Sequence, residues 1–162
     1  MSPLQIVAVD AAVWAGWSAV VGYSAHRLPR ARLAHDGPLT RLRPWERQGR
    51  VYERFGIRRW KDRVPELGAA FRGGVSKRAL GGRGTATLAE FAAETRRAEL
   101  VHWAIPLVTP VFALWNPPWL LGAMVAYAVV ANLPCLVIQR YNRGRALRVV
   151  DRRARHRSRE SP

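Results

Sequence analysis

Cysteine is almost absent from this chain; Cys135 is the single one. That excludes an internal disulfide and any multi-cysteine metal site. Cys135 lies in an apolar run, where cysteine acts as a small hydrophobe. Lysine is nearly as scarce, with only Lys61 and Lys77, so the basic side chains are nearly all arginine. Acidic residues are few: 11 against 27 Lys and Arg, for a formal net charge of +16. No Gly-x-Ser-x-Gly elbow is present, so the sequence offers no serine nucleophile of the hydrolase type. It contains neither a P-loop nor a dinucleotide fingerprint. At 162 residues the chain suffices for one domain but not for two large ones.

Long apolar runs are what it does have. The first covers residues 4–25 and is broken by Asp10. The second covers residues 100–138 and is too long for one span. Asn116-Pro117-Pro118 in its middle is a turn signal, so it reads as a helical hairpin. The first arm, 100–115, is shorter than the roughly 20 residues a full span prefers. It also carries Pro106 and Pro110, which predict a kink or a partial crossing. Trp103, Trp115 and Trp119 sit where an aromatic belt would place them. The N-terminus lacks a positive leader region, so residues 1–26 read as an uncleaved anchor.

Arginine follows the first run (Arg27, Arg30, Arg32, Arg41, Arg43, Arg47) and the last (Arg140, Arg143, Arg145, Arg148), while the Asn116 turn has none. The positive-inside rule then puts the N-terminus and the turn outside, and the middle segment and C-terminus in the cytoplasm. The expected architecture is mainly α: an integral membrane helical protein with an N-terminal anchor helix and a C-terminal helical hairpin, joined by interfacial amphipathic helices. Its parts are the anchor (1–26), a basic cytoplasmic or interfacial segment (27–99), the hairpin (100–139) and a basic cytoplasmic tail (140–162). The expected location is the cell membrane, crossed more than once.

Residues 44–64 predict a helix with Tyr52, Phe55 and Gly56 on one face and arginines around them, the pattern of an interfacial helix. Residues 68–84 hold six glycines with Lys77, Arg78 and Arg83; they read as a flexible loop or as a cradle for phosphate. Thr87-x-x-Glu90 predicts a capping box that starts the next helix. The tail reads as a binder of anionic lipid headgroups. Nucleic-acid binding is not expected, because the run abuts a span and contains no recognised nucleic-acid fold.

Residues 94–103, Glu-Thr-Arg-Arg-Ala-Glu-Leu-Val-His-Trp, stand where polar chain turns apolar. On a helix Glu99 and His102 share a face. Titratable groups at such a boundary are candidates for a functional site; the plainer reading is that they mark a helix end. In the last span Asn132, Gln139 and Arg143 share a face, and the Thr95, Glu99 and His102 face is its natural counterpart. That pairing reads equally as glue between helices.

Three blocks carry a family resemblance: Phe55-Gly-Ile-Arg-Arg-Trp-Lys-Asp; the 94–103 block; and Tyr127-Ala-Val-Val-Ala-Asn-Leu-Pro with Ile138-Gln-Arg-Tyr-Asn-Arg. Together they resemble the glycosyl-diaponeurosporenoate acyltransferase family, which completes staphyloxanthin-type carotenoids. The resemblance runs from about Trp45 to Arg148. Arg143-Gly144-Arg145 stands where the family pattern has Arg-Pro-Arg. The resemblance implies transfer of a fatty acyl group to a sugar hydroxyl of a glycosylated carotenoid or similar glycolipid, in contact with membrane lipid.

Residue roles follow from chemistry. Acyl transfer to a hydroxyl needs a base and positive groups for the developing oxyanion. His102 is the only histidine in these blocks and is the candidate base, oriented by Glu99. Arg97, Arg140 and Arg143 are candidates to hold the phosphates of an acyl-coenzyme A donor. Asn132, Gln139, Trp60 and Lys61 complete the expected substrate contacts. No metal or resident cofactor is expected. A di-iron site would need a second Glu-x-x-His, which the sequence lacks. The alternative function is a non-enzymatic membrane protein that docks lipid or a partner through its basic face; it would need the arginines but not the imidazole.

Overall fold

A computed structural model describes residues 1–64 and 85–160. The glycine-rich stretch 68–84 and its phosphate-cradle reading lie outside the described residues. Within them the chain is helical, and no strand occurs. Helix α1 spans Pro3–His26. Ser2 and Gln5 form a reciprocal capping box and Pro3 takes the first helical position, which satisfies amides that would otherwise be orphaned. A single turn, α2 (Arg30–Leu33), leads into a loop that packs against the later helices.

Helix α4 (Thr85–Ala104) and helix α5 (Pro118–Glu160) form the hairpin. The expected capping box rests on the Thr87 side chain, which lies outside what the structure describes. The two helices are joined by a 3-10 segment over Ile105–Leu114 and a turn at Asn116. Prolines cause the 3-10 geometry. Pro110 has no amide to offer the Pro106 carbonyl, and the Thr109 hydroxyl serves that carbonyl at 2.6 Å instead. A 3-10 helix rises about 2.0 Å per residue against about 1.5 Å for an α-helix. The short arm therefore reaches farther than its residue count implies. Two described helices are long and apolar enough to cross a membrane, α1 and the Pro118–His156 part of α5. Exposed Leu107, Leu114, Val130 and Leu133 give the hairpin an apolar outer surface.

The structure corrects one expectation. Residues 44–64 are not one amphipathic helix. They form a 3-10 segment (Pro44–Phe55), the short helix α3 (Ile57–Trp60) and a further 3-10 turn. Arg47, Gln48 and Gly49 adopt positive φ and break the helix. Tyr52 is buried while Phe55 is 74% exposed, so the two do not share a buried face. Helix α5 continues through residue 140 to Glu160 without interruption.

The kink at residues 47–49 is held by α5. A Cβ on Gly144 would collide with the Gln48 carbonyl, and one on Gly49 would lie 3.1 Å from the Tyr141 carbonyl oxygen. Arg148 donates to the Gln48 carbonyl, and the Gln48 amide donates to Asp151 at 3.1 Å. The left-handed conformation costs roughly 1–2 kcal/mol per non-glycine residue, and these contacts offset it. Beneath the kink, Tyr52, Ile57, Ile138 and Tyr141 form a small core, with Trp60 packed against it.

Candidate functional site

Glutamate, arginine and histidine meet where α4 and α5 face each other. Glu99 is fully buried. One carboxylate oxygen accepts from Arg143 Nη1 at 2.6 Å, and the other accepts from Arg140. Glu46, also fully buried, accepts from Arg140 Nε at 2.7 Å and from the Tyr52 hydroxyl at 2.5 Å. The guanidiniums also reach the loop before residue 44: Arg140 donates to the Leu39 and Arg41 carbonyls, and Arg143 to the Thr40 carbonyl. Two carboxylates thus balance two guanidiniums.

Burial by itself pushes the Glu46 carboxyl up. Hydrogen bonds from Arg140, Tyr52 and the Arg43 amide outweigh it and hold the carboxyl below its ordinary value. The Tyr52 phenol is pushed up, first by burial and then by donation to Glu46.

His102 lies one turn beyond Glu99 but does not bond to it. Its Nδ1 sits 2.9 Å from Asn132 Oδ1. The Asn132 amide nitrogen donates to the Ala128 carbonyl at 2.8 Å. A carbonyl can only accept, so this bond fixes which way the Asn132 amide points. Its oxygen faces the imidazole, and Nδ1 must carry the proton. The lone pair of neutral His102 is therefore on Nε2, the arrangement a general base needs. Asn132, rather than Glu99, hydrogen-bonds the imidazole, and both Glu99 oxygens accept from arginines.

The remaining expected residues are placed as follows. The expected pairing of faces is present: Asn132 meets His102 and Arg143 meets Glu99. Arg143 is fully buried and Arg140 nearly so, each already bonded within the protein. Arg97 pairs with Glu94 and donates to the Ala25, His26 and Leu28 carbonyls, closing the end of α1. Gln139 is half-buried on α5. The Trp60 indole donates to the Phe55 carbonyl at 3.2 Å, and Lys61 pairs with Asp62 at 2.6 Å. Among the described residues no hydrogen bond joins Trp60 or Lys61 to the His102 group.

Two groups escaped the sequence reading. Glu46 was visible only as an acid in a helix's first turn after Pro44, a common capping signal. Asp10 was visible as a break in an apolar run. It is buried and accepts from the Trp115 indole at 2.7 Å and the Asn116 amide at 3.0 Å.

Comparison with known proteins decides the family. The family model described as glycosyl-4,4'-diaponeurosporenoate acyltransferase matches residues 37–152. The chain belongs to the glycosyl-4,4'-diaponeurosporenoate acyltransferase family. A relative of that name from Staphylococcus haemolyticus (strain JCSC1435) is 28% identical over 143 residues, covering 88% of this chain and 83% of its own. Another from Staphylococcus aureus (strain USA300) is 32% identical over 114 residues, covering 67% and 68%. No solved structure matches. Within this glycosyl-4,4'-diaponeurosporenoate acyltransferase family member, the matched range contains Glu46, Glu99, His102, Asn132, Arg140 and Arg143. It excludes α1 and the last turns of α5.

Proposed function

We propose that the protein transfers a fatty acyl group from an acyl thioester to a sugar hydroxyl of a glycosylated carotenoid or similar glycolipid, with His102 as general base. Acyl-coenzyme A is the simplest such donor. The family membership supports the reaction class. The Asn132–His102 bond is the observation that supports the base. The sugar hydroxyl attacks the thioester carbonyl, and its proton passes to His102 Nε2. The C–S bond then breaks, and the imidazolium returns the proton to the leaving thiolate. This is direct transfer without a covalent acyl-enzyme, which fits a sequence that lacks a serine elbow.

The Glu46, Glu99, Arg140 and Arg143 network serves this site as scaffold. It locks α4 against α5 one turn from His102, so the register that brings His102 to Asn132 is maintained. Its charges are mutually satisfied, so it is not assigned to the donor's phosphates. The protein works at the membrane, with α1 and the hairpin in the bilayer and the C-terminus in the cytoplasm. The arginine asymmetry supports that orientation.

The test uses purified protein in nanodiscs, a glycosylated carotenoid or an alkyl glucoside, and labelled acyl-coenzyme A. His102→Ala should lose about a hundredfold in turnover, the scale for removing a positioned base. His102→Gln keeps a donor for Asn132 but no base, and should lose as much while remaining folded. Near-normal turnover by a well-folded His102→Gln protein would remove His102 from the mechanism.

A further inference from the structure

Helix α5 is longer than a membrane needs. Its 43 residues extend roughly 64 Å at about 1.5 Å per residue, against a hydrocarbon core of about 30 Å. The apolar part ends near Ile138. Beyond it the chain stays α-helical to Glu160, and the helix's only internal proline, Pro134, lies before Ile138. Arg145, Arg152, Arg155, His156 and Arg159 are all exposed. Arg152 follows Arg145 by seven, Arg155 and His156 follow Arg152 by three and four, and Arg159 follows His156 by three, which puts them on one face. The helix dipole does not account for them, because its effect is confined to the last turn and Arg145, Arg152 and Arg155 precede that turn.

Height separates the two occupants such a face could have. With Ile138 at the edge of the hydrocarbon, Arg152 stands about 21 Å beyond it and Arg159 about 31 Å. Headgroups take up about 5–7 Å of that distance. The Debye length at physiological ionic strength is about 8 Å. An average tilt of about 20° shortens these heights by less than a tenth. Lipid headgroups are therefore screened from Arg152, Arg155 and Arg159, and the lipid-binding tail expected from sequence applies only to the first turns after Ile138. The outer face is presented to solvent, where an acidic soluble protein meets it.

We propose that this face docks an acidic acyl carrier protein, which delivers the acyl group as a thioester. The identity of the cargo rests on the acyl-transfer reading above; the docking does not. The face lies on the same helix as Asn132, with Arg152 about 30 Å along the axis from it. In the reaction the carrier's acyl C–S bond breaks and an acyl C–O bond forms to the sugar. The hydroxyl proton ends on the carrier's thiol, so no further reactant is required.

The test compares the full chain with its Arg152→Glu/Arg155→Glu/Arg159→Glu variant, each in neutral and in anionic nanodiscs. Binding of purified acylated acyl carrier protein is measured first. The wild type should bind, more weakly as salt rises, and the variant should lose about tenfold or more. Turnover with acyl-coenzyme A should be equal in the two proteins, which shows that the variant is folded. Equal carrier binding by wild type and variant, or none by either, overturns the proposal. Carrier binding that vanishes only in anionic nanodiscs overturns it in favour of lipid. Carrier binding without transfer from any thioester leaves the docking intact and refutes the acyl-transfer reading.

Discussion

Replacing Glu99 with glutamine removes one negative charge from the centre of a buried cluster without changing its size. Arg143 then faces an amide across 2.6 Å with no opposite charge of its own. Removing one partner of a buried ion pair costs about 3–5 kcal/mol. The lower end applies here. Arg140 still has Glu46, and both guanidiniums keep backbone carbonyls. About 3 kcal/mol lowers the unfolding temperature of a chain this size by roughly 6–12 °C. Arg143→Met should cost somewhat less, since Glu99 keeps Arg140. Replacing both partners removes the uncompensated charge, so the double variant should be more stable than the sum of the singles by about 2 kcal/mol. The seven tryptophans make fluorescence a convenient probe of reversible unfolding in mixed micelles. The folded Glu99→Gln protein should keep its turnover, because Glu99 does not bond to His102. Strictly additive single variants would refute the buried-network reasoning. A selective loss of turnover at unchanged stability would return Glu99 to the mechanism.

Asn132→Leu should lower turnover by roughly tenfold at unchanged KM for both substrates, since it frees the His102 tautomer without removing the base; steady-state kinetics on the nanodisc protein checks this. Glu46 has a depressed pKa when folded, so its contribution to stability is present above its ordinary value of about 4.5 and lost as pH falls below it. Unfolding titrations across that window should show a shallower acid limb in Glu46→Gln. Gly144→Ala drives a Cβ into the Gln48 carbonyl and should cost about 1–3 kcal/mol. Gly122→Ala, whose Cβ meets open space, should be neutral or stabilising in the same melt.

The sequence was most informative where periodicity meets burial. Asn132 and Arg143 on one face, and Glu99 and His102 on the other, are spaced as two facing helices require, and they do pair. Asn116-Pro117-Pro118 marks the turn between them. The partners within that interface were not legible. Glu99 and His102 are close in sequence, which favours a local bond on paper. Arg140 and Arg143 arrive from forty residues away and outcompete a neutral imidazole for the carboxylate. The carbonyls of residues 25, 26 and 28 that Arg97 reaches leave no mark in a sequence. The break at residues 47–49 was hidden for a similar reason. Arg47 and Gln48 have no intrinsic preference for positive φ; contacts with α5 impose it, and only Gly49 hinted at it.

The first helix is fastened at both ends. Asp10 holds the hairpin tip through Trp115 and Asn116. Arg97 grips the carbonyls at the other end. Between them the Trp17 indole donates to the Ala104 carbonyl at 3.1 Å, and Trp14 packs at a tilt against Phe112 and edge-on against Tyr127. A membrane tether has only to be greasy and long enough, and any other would serve in its place. This helix has an assigned seat, with a fixed depth and rotation. A chimera that exchanges it for an unrelated span would leave the Trp115 indole and the Asn116 amide without the Asp10 carboxylate they donate to, and the hairpin would lose its third wall.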